Sequence, residues 1–203
     1  MQHRSGETRM RILESSWRLF ALNGYEATGV ADICQEAGVS KGAFYHHFDS
    51  KQTVFLAILN GWLRDLEEKM KLAGLNAANV PEALGQMAGM TKDVFNASRG
   101  NYSIFLEFWI QAIRQPAVWE SAISPYHRFL EWFTQIFQEG VCEKSLRKDL
   151  QPSTMSHIVM ALAMGLLLQA FFDPEGENWD DIAQKGIQLI LQAMVVNSIE
   201  NSV

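Results

Sequence analysis

The chain has 203 residues, 48% hydrophobic and 20% charged, with two cysteines, five histidines and a formal net charge of −6. That length and apolar content suffice for one or two domains with a packed core, and two cysteines are too few for a disulfide or metal framework. The polar start MQHRSGETRMR lacks the apolar segment of a signal peptide; the longest nearly unbroken apolar run, residues 158–172, falls short of the roughly 20 residues that cross a bilayer. A cytoplasmic protein with no membrane contact is therefore expected.

Helical spacing of apolar residues dominates from the start of the chain. Ile12, Ser16, Leu19 and Phe20 share one face of a first helix that ends near Asn23-Gly24. Thr28 is placed to cap a second, whose face carries Val30, Ile33 and Ala37. Gly38 ends it and permits a tight turn, and Ser40 is placed to cap a third. Two helices joined by so short a glycine turn form the helix-turn-helix pattern. A long helix follows from about residue 51 to 72, with Phe55, Ile58, Leu59, Trp62 and Leu66 on one face. Turn signals at Gly74, Pro81, Arg99-Gly100, Pro116, Gln151-Pro152 and Asp173-Pro174 separate the later helices. Pro125 is expected to kink or restart a helix, with Ser124 as its cap. No stretch alternates as a strand does. The pattern is all-α, with about nine helices.

The charge is uneven. Residues 1–52 carry six Lys/Arg and six Asp/Glu, so the excess of acid lies wholly in residues 53–203. On the third helix, turned at 100° per residue, Phe44 and Phe48 point to the core. Gly42, Ala43 and His46 point away, Lys41 and Tyr45 flank one rim, and His47 flanks the other. The outer face is thin at its N-terminal end. Such a helix suits a DNA major groove, with Lys41 and Tyr45 near phosphates and Ala43 near a thymine methyl. A small helical corner that binds nothing, or one that docks a protein partner, reads the same way from spacing alone.

The stretch FALNGYEATGVADICQEAGVSKGAFYHHFDSKQTVF resembles the DNA-binding segment of the TetR family of transcriptional regulators. The aromatic before N-G-Y, the Thr opening helix two, D-I, A-G-V-S-K-G, F-Y-x-H-F and the S-K opening helix four all fall at matching positions. SLRKDLQP, residues 145–152, is a weaker echo. The resemblance implies an all-α fold: a DNA-binding domain at 1–52 and a ligand-binding, dimerising domain at 53–203. It implies that Thr28 and Ser40 cap helices two and three and touch phosphate. Lys41, Gly42, Ala43 and His46 would face the groove, while Tyr45 and Lys51 contact phosphate. Gly29 and Ala31 depart from the family pattern, so base reading should rest on helix three. His47 stays undecided between contact and bystander. The implied protein is a homodimeric repressor on palindromic double-stranded DNA, released by a small apolar or amphipathic effector.

The remaining helices carry two further patterns. Phe105, Phe108, Trp109 and Ala112 form one aromatic stripe, and Phe129, Trp132, Phe133 and Ile136 form another. Such stripes are most often simple core; the alternative is the wall of a ligand pocket, with Asn101, Tyr102, Gln111, His157 and Gln169 as candidate polar groups. Residues 158–172 are apolar all round, and Ile182, Gly186, Ile190 and Met194 share a face of the last helix. These two helices either close their own core or, as the resemblance implies, form a four-helix dimer interface through Met164, Gly165, Leu168, Phe172 and that last face. No metal-spaced His/Cys cluster and no glycine-rich phosphate loop is present, so no catalytic residue, metal or cofactor is expected.

Overall fold

The computed structural model describes residues 2–92 and 102–195, without the side chains of Gln2, His3, Arg4, Tyr102, Ser103, Phe105 and Ala117. The described residues form nine helices and no strand: α1 (Gln2–Asn23), α2 (Val30–Ala37), α3 (Lys41–His47), α4 (Lys51–Gly74), α5 (Val80–Ala88), α6 (Tyr102–Ile113), α7 (Pro116–Cys142), α8 (Pro152–Phe172) and α9 (Trp179–Met194). The all-α architecture forms as expected, with the helix-turn-helix at its N-terminal end.

Two compact units share the chain. One holds Met1–Asp65 and Gly100–Pro125, the other Leu66–Arg99 and Tyr126–Val203. Compactness therefore follows other lines than the functional division expected between residues 52 and 53, and α4 and α7 each run through both units. In the first unit Ile12, Phe20, Tyr25, Ile33, Phe44, Val54, Phe55, Ile104 and Phe108 are all within 1% of complete burial. Their rings interlock. Phe55 stacks on Phe108 at 4.2 Å, and Tyr25 meets Phe20, Phe55 and Phe108 at 5.2, 5.4 and 5.6 Å. Buried aromatic contacts of this kind each add about 0.5–1.5 kcal/mol beyond the area they bury.

In the second unit α9 packs on α5 and α8. The Asn79 side chain accepts from the Glu82 N–H at 3.0 Å and so caps α5. Glu143 accepts from the Ser145 hydroxyl at 2.6 Å and the Val80 N–H at 2.7 Å; these bonds, Ser145 first, hold its carboxyl below the usual carboxylate range. Leu146 is buried and bridges to Val195, and the Arg147 N–H donates to Met194 O at 2.9 Å.

Two expectations are corrected. Of the two outcomes expected at Pro125, a kink or a restart, the restart does not occur: α7 runs continuously through it. Proline deletes one N–H donor but not its own carbonyl, and the bonds on either side carry the helix past it. The run 158–172 understates α8, because the polar turns from Pro152, a favoured residue in the first turn, lengthen it to 21 residues. By length and composition α8 is apolar enough to cross a bilayer, with mean hydropathy 1.8 over its best window. Only 22% of that window is buried, so α8 is not enclosed on most faces by the described residues.

Gly140 marks a close approach between packed side chains in the second unit. A Cβ there would lie 2.5 Å from Leu146 Cδ1 and 3.0 Å from Val80 Cγ1. Gly140→Ala is expected to destabilise by about 1–3 kcal/mol. Gly85→Ala, where a Cβ meets nothing within 4 Å, should stabilise by about 0.5–1 kcal/mol. Denaturant midpoints of the two variants check both.

Candidate nucleic-acid interface

The recognition helix is built by three local devices. Gly38 adopts φ +62 at the end of α2, a conformation that glycine takes without cost. Its N–H bonds Gln35 O, and the Val39 N–H bonds Cys34 O at 3.0 Å. The Ser40 hydroxyl then accepts from the Ala43 N–H at 3.1 Å and starts α3, an interaction worth about 1 kcal/mol. Phe44 is fully buried and Phe48 is 6% exposed, so α3 is pinned along one side only. Lys41, Gly42, Tyr45 and His46 are exposed, and Ala43 and His47 are half-buried. This is the arrangement expected from the helical spacing. Cys34 is buried, and burial pushes its thiol up, as for a core residue.

Among the described residues no close packing requires glycine at Gly42. A Cβ there would meet only Ser40 Oγ, at an ordinary 3.8 Å. Glycine costs up to about 1 kcal/mol against alanine within a helix, and no neighbour among the described residues requires the missing methyl.

Two candidate residues sit elsewhere than expected. Thr28 does not cap α2. Gly29 is the N-cap, with no side chain to offer, and Asp32 supplies the one capping bond by accepting from the Gly29 N–H at 2.9 Å. Thr28 is 1% exposed, and its hydroxyl donates backward to Gly24 O at 2.8 Å, where the last carbonyls of α1 need donors. Lys51 is half-buried, and its ammonium donates to the carbonyls of Tyr25, Glu26 and Thr28 at 3.0, 3.0 and 3.2 Å. Those three bonds use its three protons.

Two cations beside α3 escaped the sequence reading. The Arg9 guanidinium lies 5.2 Å over the Phe48 ring, and Arg11 reaches Gly38 O at 3.5 Å. Both are exposed on α1. Their sequence signal was only charge, and nothing in one-dimensional spacing sets them beside the turn.

This geometry meets the comparisons with known proteins at the same place. The model of the bacterial regulatory proteins of the tetR family matches residues 12–58. The C-terminal model of BetI-type transcriptional repressors matches residues 82–190, more than half of the chain. The transcriptional repressor KstR2 of Rhodococcus jostii is 30% identical over 190 residues, covering 92% of this chain and 90% of its own.

The chain belongs to the TetR family of transcriptional regulators.

It is thus a DNA-binding regulator and not an enzyme. The transcriptional regulator UidR of Escherichia coli is 24% identical over 172 residues, covering 82% of this chain and 83% of its own. A protein from Saccharomonospora viridis, solved in complex with choline, shares the fold at TM-score 0.78 and 23% identity, covering 95% of this chain and all of its own.

Within this TetR chain the other candidate residues scatter. Phe108 is a fully buried core residue of the first unit, and Trp109 packs on Trp119 at 5.5 Å in the same unit. Gln111 is half-buried on the same helix. Phe129, Trp132 and Phe133 belong to the second unit, where Phe129 and Phe133 are buried and Trp132 is half-buried with Lys71 Nζ 5.7 Å from its ring. His157 and Gln169 are exposed on α8 and bond back to its carbonyls at Ser153 and Gly165; they face outward from the unit. Asn101 lies outside the described residues, as do the side chains of Tyr102 and Phe105. Among the described residues, one buried polar atom near the second stripe has no hydrogen-bond partner: Arg128 Nη2.

The candidate interface residues also divide. Met164, Leu168 and Phe172 are 56, 42 and 71% exposed, with half-buried Gly165 among them. On α9, Ile182 packs against the cluster of Leu166, Ala170 and Ala183. A Cβ on Gly186 would touch Leu162 at 3.7 Å. Met194 is 2% exposed, and Ile190 is half-buried. That face of α9 is spent largely on its own unit, and the exposed large apolar residue of α9 is Leu189. A 3.6-residue period cannot tell which of two buried surfaces a stripe meets.

Proposed function

We propose that this TetR regulator is a cytoplasmic homodimeric repressor that reads a palindromic operator through α3 and is released by a small amphipathic effector. Residues 1–52 take the DNA, and 53–203 take the effector and the second subunit. One observation carries the DNA reading: Gly42 sits exposed on the recognition helix at a cost in stability, with room inside the chain for a methyl group. A body that approaches the helix from outside accounts for that glycine, and a major groove is such a body. Ala43 and His46 face the bases, and Lys41, Tyr45 and Ser40 face phosphates. Arg9 and Arg11 add charge beside the turn. Thr28 leaves the contact set because its side chain is buried. Two copies place two recognition helices on half-sites about 34–36 Å apart, or a multiple of that spacing.

The dimer reading is supported by α8. His157, Ala161, Met164, Leu168 and Phe172 fall at helical spacing along its exposed side, a stripe that water solvates poorly and a second copy covers. The effector reading is supported by Arg128. Arg128 is half-buried, and its Nη2 is buried with no hydrogen-bond partner among the described residues; an arginine stays charged, and a buried donor left unpaired is costly. An amphipath with an anionic head and an apolar body supplies the missing acceptor beside the aromatic stripe. A cation such as the choline of the Saccharomonospora protein does not.

Three outcomes are expected. Gly42→Ala should raise the melting temperature while weakening operator binding at least tenfold, and His46→Ala should change sequence preference; unaltered operator affinity in Gly42→Ala removes the groove reading. Leu168→Glu should turn the dimer into a monomer by sedimentation; partition of the wild-type chain into the membrane fraction would instead place α8 in lipid. In a thermal-shift series of equal chain length, carboxylates should stabilise the wild type more than alcohols or quaternary ammoniums. Arg128→Gln should abolish that preference.

A further inference from the structure

The loop between α1 and α2 is gripped from two helices. From α4, Lys51 Nζ donates to the carbonyls of Tyr25, Glu26 and Thr28 and lies 4.7 Å over the Tyr25 ring. From α6, one oxygen of Glu107 accepts from the N–H groups of both Tyr25 and Glu26, at 2.9 and 3.2 Å. The carboxylate reaches them across Gly24, where a Cβ would stand 3.3 Å from both of its oxygens. Gly24 also adopts φ +86, so the approach and the turn both require glycine. The donors and acceptors of residues 25 and 26 are thus held by two charged groups of opposite sign, over the Tyr25 ring that fills the core below.

This loop delivers the chain to Gly29, the N-cap of α2, and α2 leads through Gly38 into α3. A shift of the loop moves the start of the helix-turn-helix. Hydrogen bonds to charged groups are stronger than those between neutral partners, and four of them meet within residues 25 and 26.

We propose that Glu107 and Lys51 are positioning residues for DNA binding: a two-sided clamp that fixes the α1–α2 loop on α4 and α6 without touching DNA. The proposal rests on the DNA-binding reading above and reverses one part of the family-based expectation, in which Lys51 contacts phosphate. It also accounts for a carboxylate in the DNA-binding unit, where by charge alone it repels the ligand.

The charge makes the test decisive. Operator affinity is measured against salt for the full chain and for Glu107→Gln, Glu107→Ala and Lys51→Met. If Glu107 acts only through its field, both of its variants bind more tightly. If it clamps, Gln, whose amide oxygen can accept both N–H groups, keeps affinity within about threefold, while Ala loses about tenfold or more. Lys51→Met should weaken binding with the salt slope unchanged, whereas a phosphate contact would lower the slope by about 1. Tighter binding in Glu107→Ala, or a lowered slope in Lys51→Met, overturns the clamp. Amide hydrogen exchange at Tyr25 and Glu26 gives a readout independent of DNA: it should accelerate about tenfold or more in Glu107→Ala and stay slow in Glu107→Gln. Slow exchange in both variants refutes the clamp. Clamp-like exchange in a wild-type chain that binds no operator instead refutes the DNA reading alone.

Discussion

Tyr25 stands at 1% exposure among Phe20, Phe55 and Phe108, and so joins α1, α4 and α6 in one aromatic cluster. Its ring is packed on all sides, and burial pushes its phenol well above the ordinary tyrosine range. A chain that enters a turn immediately after a helix has free carbonyls behind it and free N–H groups ahead. Here the N–H groups of Tyr25 and Glu26 and the carbonyls of Tyr25, Glu26 and Thr28 are met by side chains from distant helices. The turn is therefore fixed by tertiary contacts as well as by its own Gly24. Everything that follows, from the Gly29 cap to the Gly38 turn and α3, inherits its position from that anchor.

The acidic chain and the DNA-binding reading are compatible because the relevant field is local. Charge within a Debye length of about 8–10 Å decides attraction to a phosphate, and the residues around α3 are not acidic in balance. The same locality explains why Lys51 cannot be judged by sign alone. A cation whose protons are committed to three carbonyls has little left for an anion, even where its charge lies near one. The half-buried Lys51 and Glu107 shape the backbone in this unit, while the exposed Lys41, Arg9 and Arg11 lie at its surface beside the recognition helix.

α8 sets a different constraint. Its sequence is apolar on every side, yet the described chain covers only part of it. α9 spends Ile182, Gly186 and Met194 on its own unit, and the outward side of α8 keeps Met164, Leu168 and Phe172 exposed. Exposed apolar residues along one helix are the basis on which α8 is proposed to meet a second copy. The division of labour between the two helices follows from which stripe each turns inward, and that depends on how they cross.

The sequence by itself determined the helices, their order and the inward and outward faces of α3, because helical period and capping residues are local properties. Phe44 and Phe48 buried, Lys41, Gly42, Tyr45 and His46 exposed, and Ser40 as the cap were all legible in eleven residues. The family was legible too, from residue types at fixed spacing. Only the tertiary structure decided what the polar groups bond to. Thr28 turned back to Gly24, Lys51 closed on the α1–α2 loop, Glu107 reached the same loop from residues far along the chain, and Arg9 and Arg11 arrived beside the turn. It likewise decided that Phe108 belongs to the core of the first unit, while Phe129 and Phe133 belong to the second. Hydrogen-bond partners and burial depend on which helices meet, and helices meet through contacts between residues distant in sequence, which no local period records.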